Sequence, residues 1–254
     1  LRLTLLLDNS GSMERADRQE IVRRAFATLA GQLRADDRVT LIAFSRQPRL
    51  LADAVAGDQA AQLAATVAQL PSEGGTNLEA ALNLAYEKAR EHRGAGGAQN
   101  RVVLLTDGAA NLGDAKPESL SAMVESMREE GIAFDAAGIG ADGLNDDILE
   151  ALTRKGDGRY SLLNRPEDAE DGFAKQIAGA LRPAAKNAKV QVEFNPERVA
   201  RHKLLGFEKH LLEKEDFRND AVDAAEIAAA EAGVAVYQVE PKPNGEGDIG
   251  AVSV

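Results

Sequence analysis

Over the first two thirds of the chain, short apolar runs alternate with amphipathic stretches. Leu3 to Leu7 is apolar at nearly every position, as a parallel strand buried on both faces should be. Ile21, Val22, Ala25, Phe26, Leu29 and Leu33 then fall on one helical stripe. Val39 to Phe44 reads as a second strand, and Arg49 to Ala52 as an edge strand, which Pro48 suits. Gln59 to Leu70 and Asn77 to Arg93 predict helices, separated by the loop Pro71 to Thr76. Arg101 to Thr106 is the clearest buried strand. A helix from Pro117 to Glu130 follows, with proline at its tolerated first turn, then a strand over Ile132 to Ala137. Asn145 to Arg154 and Pro166 to Leu181 read as helices around a strand at Gly158 to Leu162.

This alternation predicts an α/β fold: a doubly wound, mostly parallel sheet with helices on both faces. The pattern changes near Arg182-Pro183. Lys189 to Phe194 alternates with period two, and Val199 to Phe207 and Gly233 to Val239 also read as strands. Ala221 to Ala230 is ambiguous, and the Ala-rich patches at 54–68 and 224–232 are helix-compatible. We therefore expect a first domain over 1–182 and a smaller β-rich module over 183–254. Leu1 already lies inside an apolar run, and the chain stops within a strand at Ile249 to Val254. These ends read as those of an excised fragment, so no leader, anchor or flanking domain is excluded.

Composition narrows the chemistry. The 254 residues include no cysteine, which excludes disulfide scaffolds, thiolate metal sites and cysteine nucleophiles. The 41 acidic against 30 basic residues give a net charge of −11, which argues against nucleic acid and anionic membranes as partners. No apolar run reaches the roughly 18–20 residues of a membrane span.

The first strand ends in Asp8-Asn-Ser-Gly-Ser12. In an open parallel sheet, ligands gather at the carboxyl ends of the strands where strand order reverses. Asp8, Ser10 and Ser12 alternate, so one tight turn, eased by Gly11, can aim three oxygens at one spot. The buried strand ending in Thr106-Asp107-Gly108 brings Asp107 there if it lies beside the first strand. Thr76, preceded by Gly74 and Gly75, comes from the loop before the helix at Asn77. Carboxylates and hydroxyls without His or Cys suit Mg²⁺, with Mn²⁺ or Ca²⁺ as alternatives, and disfavour zinc and copper. Two carboxylates only balance a divalent ion, so the site stays electrophilic and an external acid can complete its shell.

Asp8-x-Ser10-x-Ser12, Thr76 in Gly-Gly-Thr-Asn and Asp107 in Thr-Asp-Gly together resemble the metal-ion-dependent adhesion site of von Willebrand factor type A domains, over about residues 1–181. The resemblance implies that Ser10, Ser12 and Thr76 meet the metal directly or through water. Asp8 and Asp107 would then act mainly through water and hydrogen bonds, and a partner's Glu or Asp would take the open position. Asn9 stands where an apolar residue is commoner. Asn195-Pro-Glu-Arg-Val-Ala, Leu205-Gly-Phe-Glu208 and Asp223-Ala-Ala-Glu-Ile227 resemble the module that follows the A domain in a group of bacterial proteins. Those proteins are often labelled calcium-activated-chloride-channel-like, a label that does not imply channel activity here. Ala228 to Glu231 departs from the glycine-rich turn usual in that module. This second resemblance implies export or lipid anchoring, hence an extracytoplasmic location.

Other signals are weaker. Gly138-x-Gly140-x-x-Gly143 has the spacing of a nucleotide fingerprint, but Asp142, Asp146 and Asp147 crowd the place of a pyrophosphate. Asp216 to Asp220 lacks the central glycine of a calcium loop. His92, His202 and His210 fall away from the expected site, and no general acid or base accompanies it. The leading expectation is a non-enzymatic, metal-dependent protein-binding module. The alternatives are a scaffold whose site is satisfied within the longer protein and, more remotely, a metal-dependent hydrolase.

Overall fold

The computed structural model describes residues 1–94, 98–108, 117–140, 144, 146–169, 183–205, 212, 214–219, 225–228, 234–243 and 246–254. It divides into two compact units, Leu1–Ala178 and Gly179–Val254.

The first unit is built on a six-stranded sheet. Its strands are β1 (Arg2–Asp8), β2 (Arg38–Phe44), β3 (Pro48–Ala56), β4 (Asn100–Thr106), β5 (Ile132–Ile139) and β6 (Tyr160–Leu163). The helices are α1 (Ala16–Gln32), α2 (Ala61–Ala68), α3 (Leu78–Glu91), α4 (Pro117–Glu129) and α5 (Asp146–Lys155). The order across the sheet is β3-β2-β1-β4-β5-β6. Only the β2–β3 pairing is antiparallel, and β3 occupies an edge. The doubly wound, mostly parallel α/β fold expected above is what the chain adopts.

Alternation along the strands sorts the core. Leu6, Ile42, Val102, Leu104, Phe134 and Ala136 share one buried cluster with side chains of α3, α4 and α5. Leu5, Leu7, Leu41, Val103 and Leu105, one position away, point to the opposite face and are also buried. The buried stripe of α1, which packs against β5 and α2, covers that side. Two charges interrupt the apolar strands: Arg101 of β4 forms a paired hydrogen-bonded bridge to Asp135 of β5 at 2.7 and 2.8 Å, both side chains being about 5% exposed or less. The helix expected from Pro166 begins as Pro166–Asp168, and residues 170–182 lie outside the described residues.

The second unit contains β7 (Pro183–Ala188), β8 (Gln191–Phe194), β9 (Val199–Leu205), β10 (Ala225–Ala228), β11 (Val236–Pro241) and β12 (Gly250–Ser253). They form three antiparallel pairs, β10 with β7, β11 with β9 and β12 with β8. β7 opens on Pro183, a first-residue position where strands accept proline. One expectation changes here. The Ala-rich stretch read as helix-compatible contains strand β10, because pairing with β7 overrides alanine's weak intrinsic preference. Between β7 and β8 the side chain of Lys189 is buried, and its ammonium donates to the carbonyls of Asp216 (2.9 Å) and Asn219 (2.6 Å). Asp216 to Asn219 is thus a backbone turn that receives a lysine.

Candidate metal centre at the sheet switch point

After β1 the chain crosses through α1 to β2 on one side; after β3 it returns through α2 and α3 to β4 on the other. Strand order therefore reverses between β1 and β4. Their parallel register pairs Leu7 with Leu105, so Asp8 and Thr106 end the two strands side by side. The Thr106 hydroxyl donates to Asp8 Oδ2 at 2.7 Å. The amide of Ser10 donates to Asp8 Oδ1 at 2.9 Å, which folds the loop back on the carboxylate. A 3-10 turn, Gly11–Glu14, follows, and the Ser10 and Ser12 hydroxyls lie 3.1 Å apart within hydrogen-bonding reach. Gly11 has neither a positive φ nor a neighbour that a Cβ would meet, so the turn does not require glycine there, contrary to the expectation above.

Asp8, Ser10 and Asp107 are buried, and Ser12 and Thr76 are half-buried. Burial pushes the Asp8 carboxyl above its ordinary value of 3.8, against the Thr106 hydroxyl and Ser10 amide, which favour the charged form; the nearby Asp107 charge pushes it further up. Asp107 is ion-paired to Arg18 of α1, whose Nη1 also donates to the Ser12 carbonyl at 3.0 Å.

Thr76 arrives by backbone docking. The Glu73 amide donates to the Asn9 carbonyl at 2.9 Å, Glu73 bridges Ser10, and the Asn77 amide donates to the Ser45 carbonyl at 2.7 Å. The loop thus lies across the ends of β1 and β2. Gly75 has φ +89°, and a Cβ there would meet Arg46 Cγ at 2.6 Å, so this glycine is required. Asn77 then caps α3 by accepting from the Ala80 amide. Among the described residues, Asp8, Ser10, Ser12 and Asp107 are linked by hydrogen bonds and by Arg18, and Thr76 sits on the adjoining loop with no hydrogen bond to them. Asn9 turns its amide nitrogen to the Pro71 carbonyl, 3.0 Å away.

Two residues of this centre escaped the sequence reading, Thr106 and Arg18. Arg18 did leave a signal: it shares the stripe of Ile21, Val22, Ala25 and Leu29, and a charge on a buried stripe requires a buried partner. The histidines lie elsewhere. His92 ends α3 and contacts Asp53 at 2.5 Å, His202 stacks on Phe194, and His210 is outside the described residues. Asp53, Glu91 and His92 cluster at the surface, but Lys88 already pairs with both carboxylates.

These observations meet those from known proteins. Residues 3–109 match the family model of the von Willebrand factor type A domain. That match lies wholly within the first unit. Residues 179–250 match a model described as the C-terminal part of uncharacterized protein YfbK. The chain is 33% identical over 227 residues to uncharacterized protein YfbK of Escherichia coli K12, covering 89% of this chain and 39% of that protein. It is 28% identical to inter-alpha-trypsin inhibitor heavy chain H4 of Sus scrofa, over 69% of this chain and 20% of that one. The chain thus spans less than half the length of these curated relatives.

Solved structures at low identity share the A-domain fold. A von Willebrand factor type A protein from Catenulispora acidiphila superposes with TM-score 0.62 and 17% identity, covering 80% of this chain and 48% of that one. An aerotolerance-related membrane protein from Bacteroides fragilis gives 0.58 at 21% identity, over 70% and 98%. Proximal thread matrix protein 1 of the mussel byssus, whose structure is described with a zinc-occupied metal-ion-dependent adhesion motif, gives 0.54 at 17%, over 70% and 45%.

Proposed function

We infer that this A domain is a non-catalytic, divalent-metal-dependent protein-binding module. The observation that carries the reading is the convergence of buried Asp8, Ser10 and Asp107 with half-buried Ser12 at the switch point, with Thr76 docked beside them. These five side chains offer only oxygen donors, the set that suits Mg²⁺, or Mn²⁺ or Ca²⁺ in its place. Ser10, Ser12 and Thr76 would hold the ion as neutral donors, and Asp8 and Asp107 would balance its charge. The bound ion would supply an electrophilic position for a carboxylate. Glu or Asp of a partner protein is the fitting ligand, since neutral hydroxyls leave the site short of negative charge. The type A domain and the inter-alpha-trypsin inhibitor relatives support a protein-interaction role. The mussel protein's zinc supports a divalent ion at this place in the fold.

A non-enzymatic role suits the site's chemistry. Its nearest described histidine along α3 is His92, roughly 20 Å from the Asn77 cap by helix rise. We assign the binding domain to 1–182 and a β-rich module of undefined role to 183–254, a division supported by the two compact units and the two family matches. Among the described residues no helix is long and apolar enough to cross a membrane. We place the longer protein outside the cytoplasm, which the membrane-protein neighbour supports.

Thermal melts with metal test the reading. Millimolar Mg²⁺ or Mn²⁺ should raise the melting temperature by several degrees, growing with concentration, because only the folded state binds. Asp8→Ala and Thr76→Ala should abolish the shift. An unchanged melt of the wild-type protein across that range would refute the metal claim.

A further inference from the structure

We propose that Arg18 is an internal cation which stands in for the metal and sets how tightly the site binds it. The inference rests on the metal-site reading above. Asp8 and Asp107 are almost wholly buried, at 1% and 0% exposure. Two such carboxylates close together repel each other and are poorly solvated, so the fold needs a positive charge there when no ion is bound. Arg18 supplies it from α1, itself only 4% exposed. One nitrogen, Nη1, reaches both Asp107 Oδ2 and the Ser12 carbonyl. The guanidinium therefore straps the loop after β1 to the residue after β4, the two segments that an ion would also tie together.

The same strap opposes the ion. A divalent cation near Asp107 meets a fixed positive charge in a poorly screened interior, where charges act strongly on each other. The charge-assisted hydrogen bond between Asp107 and Arg18 must also be shared or given up. Arg18 thus keeps the site folded without metal and weakens its hold on metal. Occupancy then responds to millimolar rather than trace divalent concentrations, and an acidic partner that adds negative charge favours loading. A purely structural Arg18, one that merely aims Asp107, has the opposite consequence: its loss would weaken metal binding.

Isothermal titration with Mn²⁺ and Mg²⁺ on the whole chain distinguishes the two. Arg18→Gln removes the charge and keeps a polar side chain at that position. Its metal-free melting temperature should fall, and its dissociation constant for Mn²⁺ should drop at least about tenfold, or about 1.4 kcal/mol. Arg18→Lys, which keeps the charge, should stay between the two. An unchanged or weakened affinity in Arg18→Gln overturns the proposal. If the wild-type protein binds Mn²⁺, Asp8→Ala does not and Arg18→Gln is no tighter, the internal-cation role fails and the metal site stands. If neither wild type nor Arg18→Gln binds, both readings fall. Should Arg18→Gln not fold without metal, the wild-type guanidinium resonance of Arg18 decides by NMR. It should shift with Mg²⁺ along the same saturation curve as the titration, and a resonance indifferent to saturating Mg²⁺ overturns the role.

Discussion

At the scale of single residues, this protein keeps charge inside and satisfies it locally. Asp8 receives a hydroxyl and an amide, Asp107 a guanidinium, and Asp135 both a guanidinium and the Arg159 amide. Such groups contribute little net stability when paired and cost much when one partner is removed. Asp135→Ala leaves Arg101 buried between β4 and β5 without its carboxylate. The variant should lose about 3–5 kcal/mol in urea unfolding, although it lies at neither the candidate metal site nor the surface. Asp8, Ser10 and Ser12 stood out along the chain as candidate ligands because a carboxylate and two hydroxyls in strict alternation after an apolar run are an unusual pattern. Thr106 and Arg18 were not read, because their meaning lies in partners 98 and 89 positions away. The glycine reading divided in the same way: Gly75 is pinned by Arg46 and a positive φ, and Gly11 by nothing.

At the scale of elements, the ends of β1 and β4 and the start of α3 position the site. The cap of α3 has two duties: Asn77 satisfies the Ala80 amide with its side chain and anchors to Ser45 with its backbone. Asn77→Ala should therefore destabilise the first unit by about 1 kcal/mol, and Asn77→Asp, an equally good cap, should restore it in the same urea experiment. Because Thr76 is the preceding residue, Asn77→Ala should also weaken the metal-dependent rise in melting temperature. Most of the first unit's elements were legible because they couple a long periodic signal to a clear stop. Those of the second unit were less so. β7 and β10 span 6 and 4 residues, and such segments take their conformation from the strand they pair with rather than from their own composition.

At the scale of the whole molecule, the net charge of −11 bears on the site from a distance. A surface with excess acid concentrates cations around it and repels anionic surfaces. Raising sodium chloride from about 0.05 to 0.5 M should weaken Mn²⁺ binding by a factor of about two to ten, as the surface contribution is screened and the buried one persists. A salt-independent constant in the same titration would assign the affinity to the buried groups alone.

The alternation of apolar runs with amphipathic stretches was enough to specify a doubly wound sheet, since few other packings bury such strands on both faces. Counting strand ends also singled out Asp8, Ser10, Ser12 and Asp107 as candidate ligands, and the loop before α3 added Thr76. The strand order that seats β1 beside β4 depends on contacts between segments far apart in the chain. The same is true of the buried Arg18 that meets Asp107, and of the short pairings β7–β10 and β8–β12. Local periodicity records which face of an element is buried; it carries no record of what that face is buried against.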